Sequence, residues 1–409
     1  LFFLVLLAGY FRITGYDFGL PAFFHPDEVK KFYTLSAMVK EGTLDPKIYL
    51  HPPMLLYLSY LVHLFREIVL GEGNIILLSS GRIMSGIFGT LTIIPLYKLL
   101  RLFFARIVSL FSLLIYVFSP IAIDCAHYMK EDTIFVFISL LSFYFAIKAV
   151  QTNRQKYHNL TFFFLGITLG TKYTGLLTIF CAGLFYLLNL KKVLVGALKG
   201  APLFFVGLLV GFPFLFTDIS AFGRVFSGFM SELTHSKTGH HGLVLRASDT
   251  FYSYYLTNSL IPGMEMIPFL ISIFGAGMAL GHRYLKLIYI IIAVTVFYFV
   301  SELSPSKPFP QVDRYVLHCV PLLVILFGYG VRNIVLLFGR VDSGRAKIFG
   351  ISVLNLVIAP IAIRAFNLIS IIQNDTRTEA YEWMVNNMPA KTKVVSVGFG
   401  LYLPSLPPS

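Results

Sequence analysis

Two acidic residues follow the first apolar run of the chain, in the sequence His25-Pro26-Asp27-Glu28. Adjacent carboxylates beside so apolar a run are costly unless they are paired or solvated. A carboxylate that can approach a hydroxyl can act as a general base. We interpret Asp27 as that base, with Glu28 beside it. The alternative is an acidic loop that contacts Lys30 and Lys31.

A second acidic cluster ends at Asp132, which follows His127, Lys130 and Glu131 and opens another apolar run. Aspartate is favourable at a helix N-terminus because of the helix dipole, which is the structural alternative. The sequence nevertheless places two acidic clusters next to successive apolar runs. This coincidence favours a catalytic role for Asp132, in orienting an acceptor or in steadying developing charge.

Four cations accompany the acids. Arg82 lies inside an apolar run, where a charge is expensive and usually has a partner. Lys172 lies in the Gly170-Thr171-Lys172-Tyr173 turn, and Lys307 and Arg314 flank a later turn. Snorkelling to lipid headgroups is the alternative for each. Several cations at one level also suit a phosphate, and we predict that these four bind the phosphate of a donor.

Two histidines are candidates for binding an acceptor or a metal ion. His51 starts the sequence His51-Pro52-Pro53, and His127 belongs to the second acidic cluster. Neither has the spacing of a metal motif, so the sequence leaves the metal requirement unknown: a divalent cation is compatible with it and not required.

The elements that position these residues must be membrane helices. Of the 409 residues, 56% are hydrophobic and only 13% are charged, against about 25% charged in soluble domains. Mean hydropathy is +0.77. The net charge of +13 is not gathered in a basic, aromatic-interleaved segment, which argues against nucleic acid. Three cysteines give neither a disulfide framework nor a metal spacing.

Eleven apolar runs predict an all-α polytopic protein with about 11 transmembrane helices. They cover 1–11, 75–99, 103–123, 133–150, 160–169, 174–190, 194–216, 260–280, 287–300, 315–331 and 348–369. A further run, Pro53 to Leu64, is short and carries His63, so we interpret it as an interfacial helix that does not span.

The basic residues then decide the topology. If Pro53–Leu64 does not span, one side collects short basic loops, as the positive-inside rule expects of the cytoplasm: Lys98, Arg101, Arg106, Arg154, Lys156, Lys191, Lys192, Lys199, Arg283, Lys286, Arg340, Arg345 and Lys347. The opposite, extracytoplasmic side receives the long loops, which carry Asp27, Asp132, Lys172 and Arg314. Chemistry needs its groups to meet, so this clustering on one side is evidence of function.

The motifs resemble a known family. His25-Pro26-Asp27-Glu28, His51-Pro52-Pro53, Gly81-Arg82, Ser119-Pro120 through His127 to Asp132, Gly166 to Tyr173, and Arg314-Tyr315 to Pro321 follow its order. Together they are similar to family 39 of the GT-C glycosyltransferases. That family includes dolichyl-phosphate-mannose protein mannosyltransferases and the bacterial transferase that adds aminoarabinose to lipid A. The resemblance covers about residues 1–330, with a weaker segment at 376–395.

The resemblance implies a polyprenyl-phosphate sugar donor, an extracytoplasmic site, and transfer to a hydroxyl with inversion. It also implies that Asp27 is the first-loop acid, that Asp132 is the second acid, and that Arg82 serves donor binding. His51 stands where the aminoarabinose transferase has a glutamate, so a metal site is not carried over.

We therefore predict an integral-membrane hexosyl- or pentosyltransferase of the prokaryotic plasma membrane, acting on a lipid, glycan or protein acceptor. The alternative is a transporter or flippase for a lipid-linked or anionic solute. Such a protein would place its charges near the midplane and show a repeat between two halves.

The predicted domain organisation has two parts. A transmembrane catalytic domain covers residues 1–370, with outer loop 12–74 holding the interfacial helices. Residues 371–409 form the start of an extracytoplasmic α/β lobe that is cut short. In this lobe, Thr376–Met388 predicts a helix capped by Asp375, and Lys393–Gly398 predicts a strand.

Overall fold

The structure is a computed structural model and describes residues 1–20, 23, 25–71, 76–216, 219–238, 250–304, 313–338, 343–389 and 392–394. The described residues are almost entirely helical, as the sequence predicts. The first ten helices are α1 (Phe2–Ile13), α2 (Pro26–Glu41), α3 (Met54–Ile68), α4 (Leu77–Leu91), α5 (Ile93–Phe103), α6 (Arg106–Val117), α7 (Pro120–Asp124), α8 (Asp132–Thr152), α9 (Gln155–Thr171) and α10 (Gly175–Leu187). The others are α11 (Leu190–Gly200), α12 (Pro202–Gly211), α13 (Ile219–Thr238), α14 (Ile261–Met264), α15 (Met266–Gly281), α16 (Leu285–Glu302), α17 (Cys319–Phe338), α18 (Ser343–Gln373) and α19 (Thr376–Asn387).

The predicted count of about 11 spans is not confirmed. Among the described residues, five helices are long and apolar enough to cross a membrane, or seven if each of two bent pairs counts as one span. The first bent pair joins α11 to α12 at Pro202, where the axis turns by 51°. The second joins residues Leu256–Met264 to α15 with a turn of 101°, at Glu265, whose φ is +67°. Hydropathy registers such broken segments as continuous runs, because it does not detect a change of helix direction.

Small residues allow a close contact between α9 and α12. α9 and α12 face each other through Gly166 and Gly170 on one side and Gly207 and Gly211 on the other. A Cβ atom built on Gly207 would lie 1.9 Å from the carbonyl oxygen of Phe163, so only glycine permits this approach. Backbone contact of this kind is the usual means of packing membrane helices, since lipid gives them little hydrophobic drive.

A buried arginine that the sequence analysis did not single out fixes the first helix. Arg12 is fully buried, and its guanidinium donates to the carbonyl oxygens of Tyr116 at 2.7 Å and Val117 at 3.2 Å. These carbonyls end α6, where the helix dipole is negative. Arg12 therefore ties the end of α1, and the loop that follows it, to the third apolar run.

The predicted interfacial helix and the predicted C-terminal segment can also be compared with the structure. Residues 54–64 lie in helix α3, which is not among the helices that meet the spanning criteria, so its interfacial position remains a prediction. The C-terminal helix is confirmed as α19, with Asp375 as its N-cap accepting from the Arg377 amide at 2.9 Å. Most of the predicted strand at 393–398 lies outside the described residues.

Candidate active site

A cavity of about 580 Å³ opens where α2, α7, the 3₁₀ turn Asp313–Val316, α18 and α19 meet. Its wall is unusually rich in charge for a chain this apolar. The polar and charged lining residues are His25, Asp124, Cys125, Tyr128, Lys130, Asp132, Asn258, Asp313, Arg314, Arg364, Asn367 and Arg377. The cavity therefore gathers residues from sequence positions 25 to 377, including several predicted site residues.

Local sequence places Asp27 in the first turn of α2. The His25 ring accepts a hydrogen bond from the Asp27 amide at 3.2 Å, and Pro26 occupies the first helical position. Both features start helices, because the side chain satisfies a free amide and proline lacks one. The helix ends at Gly42, whose φ of +62° suits glycine. The motif at 25–28 is thus a helix start that presents Asp27 at a fixed point.

Asp27 is held by two cations. Its Oδ2 atom accepts hydrogen bonds from Lys130 Nζ and Arg314 Nη1. Burial alone would raise the pKa of Asp27, but the charges of Lys130 and Arg314 outweigh it and hold the pKa far below its usual range. Lys130 and Arg314 line the cavity, whereas Asp27 does not. The Asp27 side chain is nevertheless 29% exposed, more than either of the two cations.

Asp132 and Lys172 form a second ion pair, at 2.5 Å. Asp132 begins α8, and Lys172 directly follows the end of α9. Because only two residues join these helices, α8 and α9 run antiparallel, and the start of one lies beside the end of the other. Arg314 lies within electrostatic reach of both Asp132 and Asp27. The structure thus brings the two predicted acids to the same cation.

Arg82 and Glu28 form a buried ion pair instead of facing the cavity. Both side chains are 0% exposed, and the guanidinium bonds both carboxylate oxygens, at 2.8 and 2.9 Å. Arg82 also donates to the Phe18 carbonyl oxygen at 2.7 Å, and Glu28 accepts from the Met129 amide at 2.7 Å. Neither lines the cavity. This geometry favours a structural role over the predicted roles of Arg82 in donor binding and of Glu28 beside the base.

The remaining predicted residues are distributed as follows. His127 is buried, and its two ring nitrogens lie 2.8 and 2.9 Å from the carbonyl oxygens of Ile123 and Thr14, so backbone atoms already engage both. His51 Nδ1 lies 3.6 Å from Glu232 and 3.9 Å from Glu131, outside the cavity wall. Burial lowers the pKa of His51 to about 3, so its ring is neutral. Lys307 lies outside the described residues.

No group of three or more His, Cys, Asp or Glu side chains that could hold a metal ion occurs in the part of the chain that the structure describes.

Two aspartates that were not predicted as site residues, Asp124 and Asp313, both line the cavity. Asp124 ends α7, and Asp313 opens the 3₁₀ turn that presents Arg314. Burial raises the pKa of Asp124 to about 7, with a further contribution from Asp313, and burial raises the pKa of Asp313 to about 6. A signal existed in the sequence, because each aspartate borders a residue or loop already singled out.

The fold is shared with solved membrane proteins. ArnT from Cupriavidus metallidurans, bound to undecaprenyl phosphate, matches with a TM-score of 0.63 and 15% identity over 98% of this chain and 83% of that chain. The archaeal oligosaccharyltransferase AglB from Archaeoglobus fulgidus, in complex with an inhibitory peptide and a dolichol-phosphate, matches with a TM-score of 0.60 and 14% identity over 95% of this chain and 58% of that chain. The chain has the GT-C fold.

A family model supports the same resemblance in sequence. The model described as dolichyl-phosphate-mannose-protein mannosyltransferase matches residues 50–216, a segment that contains His51, Arg82, Asp132 and Lys172. No curated protein matches the chain in sequence. The resemblance to the GT-C glycosyltransferases predicted from the motifs is thus confirmed.

Proposed function

We propose that the protein is an integral-membrane glycosyltransferase that moves a sugar from a polyprenyl-phosphate donor to a hydroxyl acceptor, on the extracytoplasmic side of a prokaryotic plasma membrane. The observation that carries the proposal is the pair of cations Lys130 and Arg314 on the wall of the cavity, beside Asp132. Apolar spans and the GT-C fold support the membrane location. The positive-inside distribution supports the side.

The two cations suit a departing phosphate. When the bond between sugar and phosphate breaks, the phosphate gains negative charge, and preorganised cations stabilise that charge most in the transition state. Arg314 Nε is buried and has no hydrogen-bond partner among the described residues, so it remains available to an anion. ArnT and AglB were both solved with a polyprenyl phosphate, which supports a donor of that class here.

A nearby carboxylate suits the sugar. Transfer passes through a state with oxocarbenium character, which a negative charge at close range stabilises. Asp132, on the cavity wall and fixed by Lys172, supports that role. The sequence-based hypothesis gives the proton-accepting role to Asp27. Its two cations make that carboxylate a weak base as long as both remain bound to it.

The test uses the full chain in lipid nanodiscs with a panel of undecaprenyl- and dolichyl-phosphate sugars. We expect polyprenyl phosphate to be released with at least one donor, alone or with a hydroxyl acceptor. Chemically unchanged donor that crosses a vesicle bilayer would instead indicate the transporter.

Substitutions of the two cavity cations test whether these residues bind the phosphate of the donor. Arg314→Gln and Lys130→Gln should each weaken the binding of undecaprenyl phosphate by about 1.5–3 kcal/mol, or about 10- to 150-fold. Lys156→Gln, at an exposed lysine on the predicted cytoplasmic side, is the matched control and should leave binding unchanged. Wild-type affinity in both cavity variants would contradict the assignment.

A further inference from the structure

We propose that helix α13 lies flat in the extracytoplasmic surface of the membrane, with its exposed apolar side chains among the lipid acyl chains. The inference concerns a lipid-binding surface and is independent of the glycosyl transfer proposed above. α13 (Ile219–Thr238) is not one of the described helices that are long and apolar enough to cross a membrane. Its exposed surface nevertheless has the pattern of a helix that contacts lipid along one side.

One exposed stripe of α13 is apolar. Its four side chains recur at intervals of four, four and three residues and are 38–58% exposed: Phe222, Phe226, Met230 and Leu233. An α-helix has about 3.6 residues per turn, so these intervals place all four along one side. Single exposed apolar residues are ordinary on a protein surface, but a continuous stripe of them indicates a contact surface.

The exposed stripe beside it is polar and uncharged. Its members follow the apolar residues by one position each and are also exposed: Gly223, Ser227, Ser231 and Thr234. The exposed surface of α13 is therefore divided lengthwise into an apolar stripe and a polar stripe. A helix surrounded by water gains nothing from this division, whereas a helix in the plane of a lipid–water interface needs one side for each phase.

The third side of α13 is fixed to the protein. A Cβ atom on Gly228 would lie 1.8 Å from the Tyr49 carbonyl oxygen, so the two backbones are in direct contact. Arg224 Nη2 donates to Asp45 Oδ2 at 3.0 Å. These contacts fix the rotation of the helix about its axis. The apolar stripe therefore cannot turn inward against the protein unless both contacts break.

Lipid is the occupant of the apolar stripe that the preceding segment favours. α12 belongs to a bent pair that counts as one candidate span, and several of its apolar side chains are exposed: Phe205, Val206, Leu209 and Val210. In a membrane span, such side chains face lipid. Only residues 212–218 separate α12 from α13. The topology predicted from the basic residues places this connection on the extracytoplasmic side, so α13 begins where a lipid-facing segment leaves the bilayer.

The charged residues of α13 are compatible with this position. Arg224 is bound to Asp45, and Glu232 Oε1 lies 3.6 Å from His51 Nδ1, so both charges face the protein. Lys237 is exposed near the end of the helix, where its long side chain can reach the phosphates while its stem stays among apolar groups. Because the polar stripe is uncharged, we expect apolar contact, and not anionic headgroups, to hold the helix on the membrane.

This position of α13 has a consequence for the first outer loop. α13 contacts that loop at Asp45 and Tyr49 and approaches it at His51, just before α3 begins. A helix fixed at the membrane surface would hold this loop at the level of the lipid headgroups. A lipid-linked phosphate resides at the same level.

The experiment measures the depth of spin labels on the full chain in phosphatidylcholine nanodiscs. Phe226→Cys and its matched neighbour Ser227→Cys are labelled with a nitroxide, against a low background because the native cysteines are buried. Collisions with oxygen, which concentrates in the acyl layer, are compared with collisions with a water-soluble nickel chelate. We expect the label at position 226 to lie about 5–10 Å into the boundary between headgroups and acyl chains. The label at position 227 should be accessible to the chelate.

A charge in the apolar stripe provides the perturbation. Phe226→Asp, measured with a label on Met230→Cys, should move that label toward water, because an ionised carboxylate is unfavourable among acyl chains. Ser227→Asp is the matched control and should leave the depth of the same label unchanged. The wild-type depth should be the same in nanodiscs that also contain anionic phosphatidylglycerol.

Four results would overturn the proposal. Equal access of the chelate to positions 226 and 227 would place the apolar stripe in water. Protection of position 226 from both oxygen and the chelate would place protein on the stripe, either a second copy of this chain or a partner. A label depth that Phe226→Asp leaves unchanged would show that the stripe does not hold the helix on lipid. A depth reached only with phosphatidylglycerol would replace apolar contact with headgroup charge.

Discussion

Replacing Arg82 separates a structural ion pair from a donor-binding cation. In Arg82→Gln, the Glu28 carboxylate would lose its partner at a site where both side chains are now 0% exposed. Breaking a buried pair on one side costs about 3–5 kcal/mol, because the remaining charge is left uncompensated. The same variant loses the hydrogen bond to the Phe18 carbonyl, which adds to the loss. We therefore expect the free energy of unfolding to fall by at least about 3 kcal/mol.

The assay is unfolding of the purified chain by denaturant, followed by far-ultraviolet circular dichroism in mixed micelles. Arg106→Gln, the same substitution at an exposed arginine, should stay within about 0.5 kcal/mol of the wild type. The double variant Arg82→Met with Glu28→Gln should lose less than the sum of the two single changes, because no unpaired charge remains. The affinity for undecaprenyl phosphate, measured on folded protein, should change little.

The opposite pattern would refute this reasoning. If Arg82→Gln lowered the stability by less than about 1 kcal/mol and weakened undecaprenyl phosphate binding at least tenfold, Arg82 would bind the donor phosphate. That result would support the role implied by the family resemblance.

Two further predictions concern topology and packing. Cysteines introduced at Lys47 and Gly71 should both react with an impermeant thiol reagent applied to the same side. The background should be low because all three native cysteines are buried. Labelling of only one position would show that the helix between them spans the membrane. Gly207→Ala should destabilise the fold by about 1–3 kcal/mol because its Cβ would meet the Phe163 carbonyl at 1.9 Å. The control is Gly183→Ala, whose Cβ would meet nothing within 4 Å. It should be neutral or stabilising in the same unfolding assay.

The starts of several helices could be predicted from the sequence. The start of α2 at His25-Pro26, the start of α8 at Asp132 and the capping of α19 by Asp375 each follow from side chains within a few residues. Such signals act within one helical turn, so a sequence pattern contains all the atoms involved. The adjacency of Asp132 and Lys172 was also within reach, because a two-residue connection forces α8 and α9 to run antiparallel.

Changes of direction within long apolar segments could not be predicted from the sequence. The runs at 194–216 and 260–280 each look like one span, yet the first turns by 51° and the second by 101°. Neighbouring helices decide whether an apolar segment continues straight. For that reason, hydropathy alone did not fix the number of spans.

The partners of the charged residues were decided by tertiary structure alone. From the sequence, Arg82 was as suitable a phosphate ligand as Arg314. Packing of α2 against α4 places Glu28 on Arg82, and the turn before α17 brings Arg314 to Asp27 from 287 residues away. The sequence determines which charges exist and near which helix ends they lie. Which charge neutralises which, and which remains open to the cavity, depends on distances between elements that no local pattern encodes.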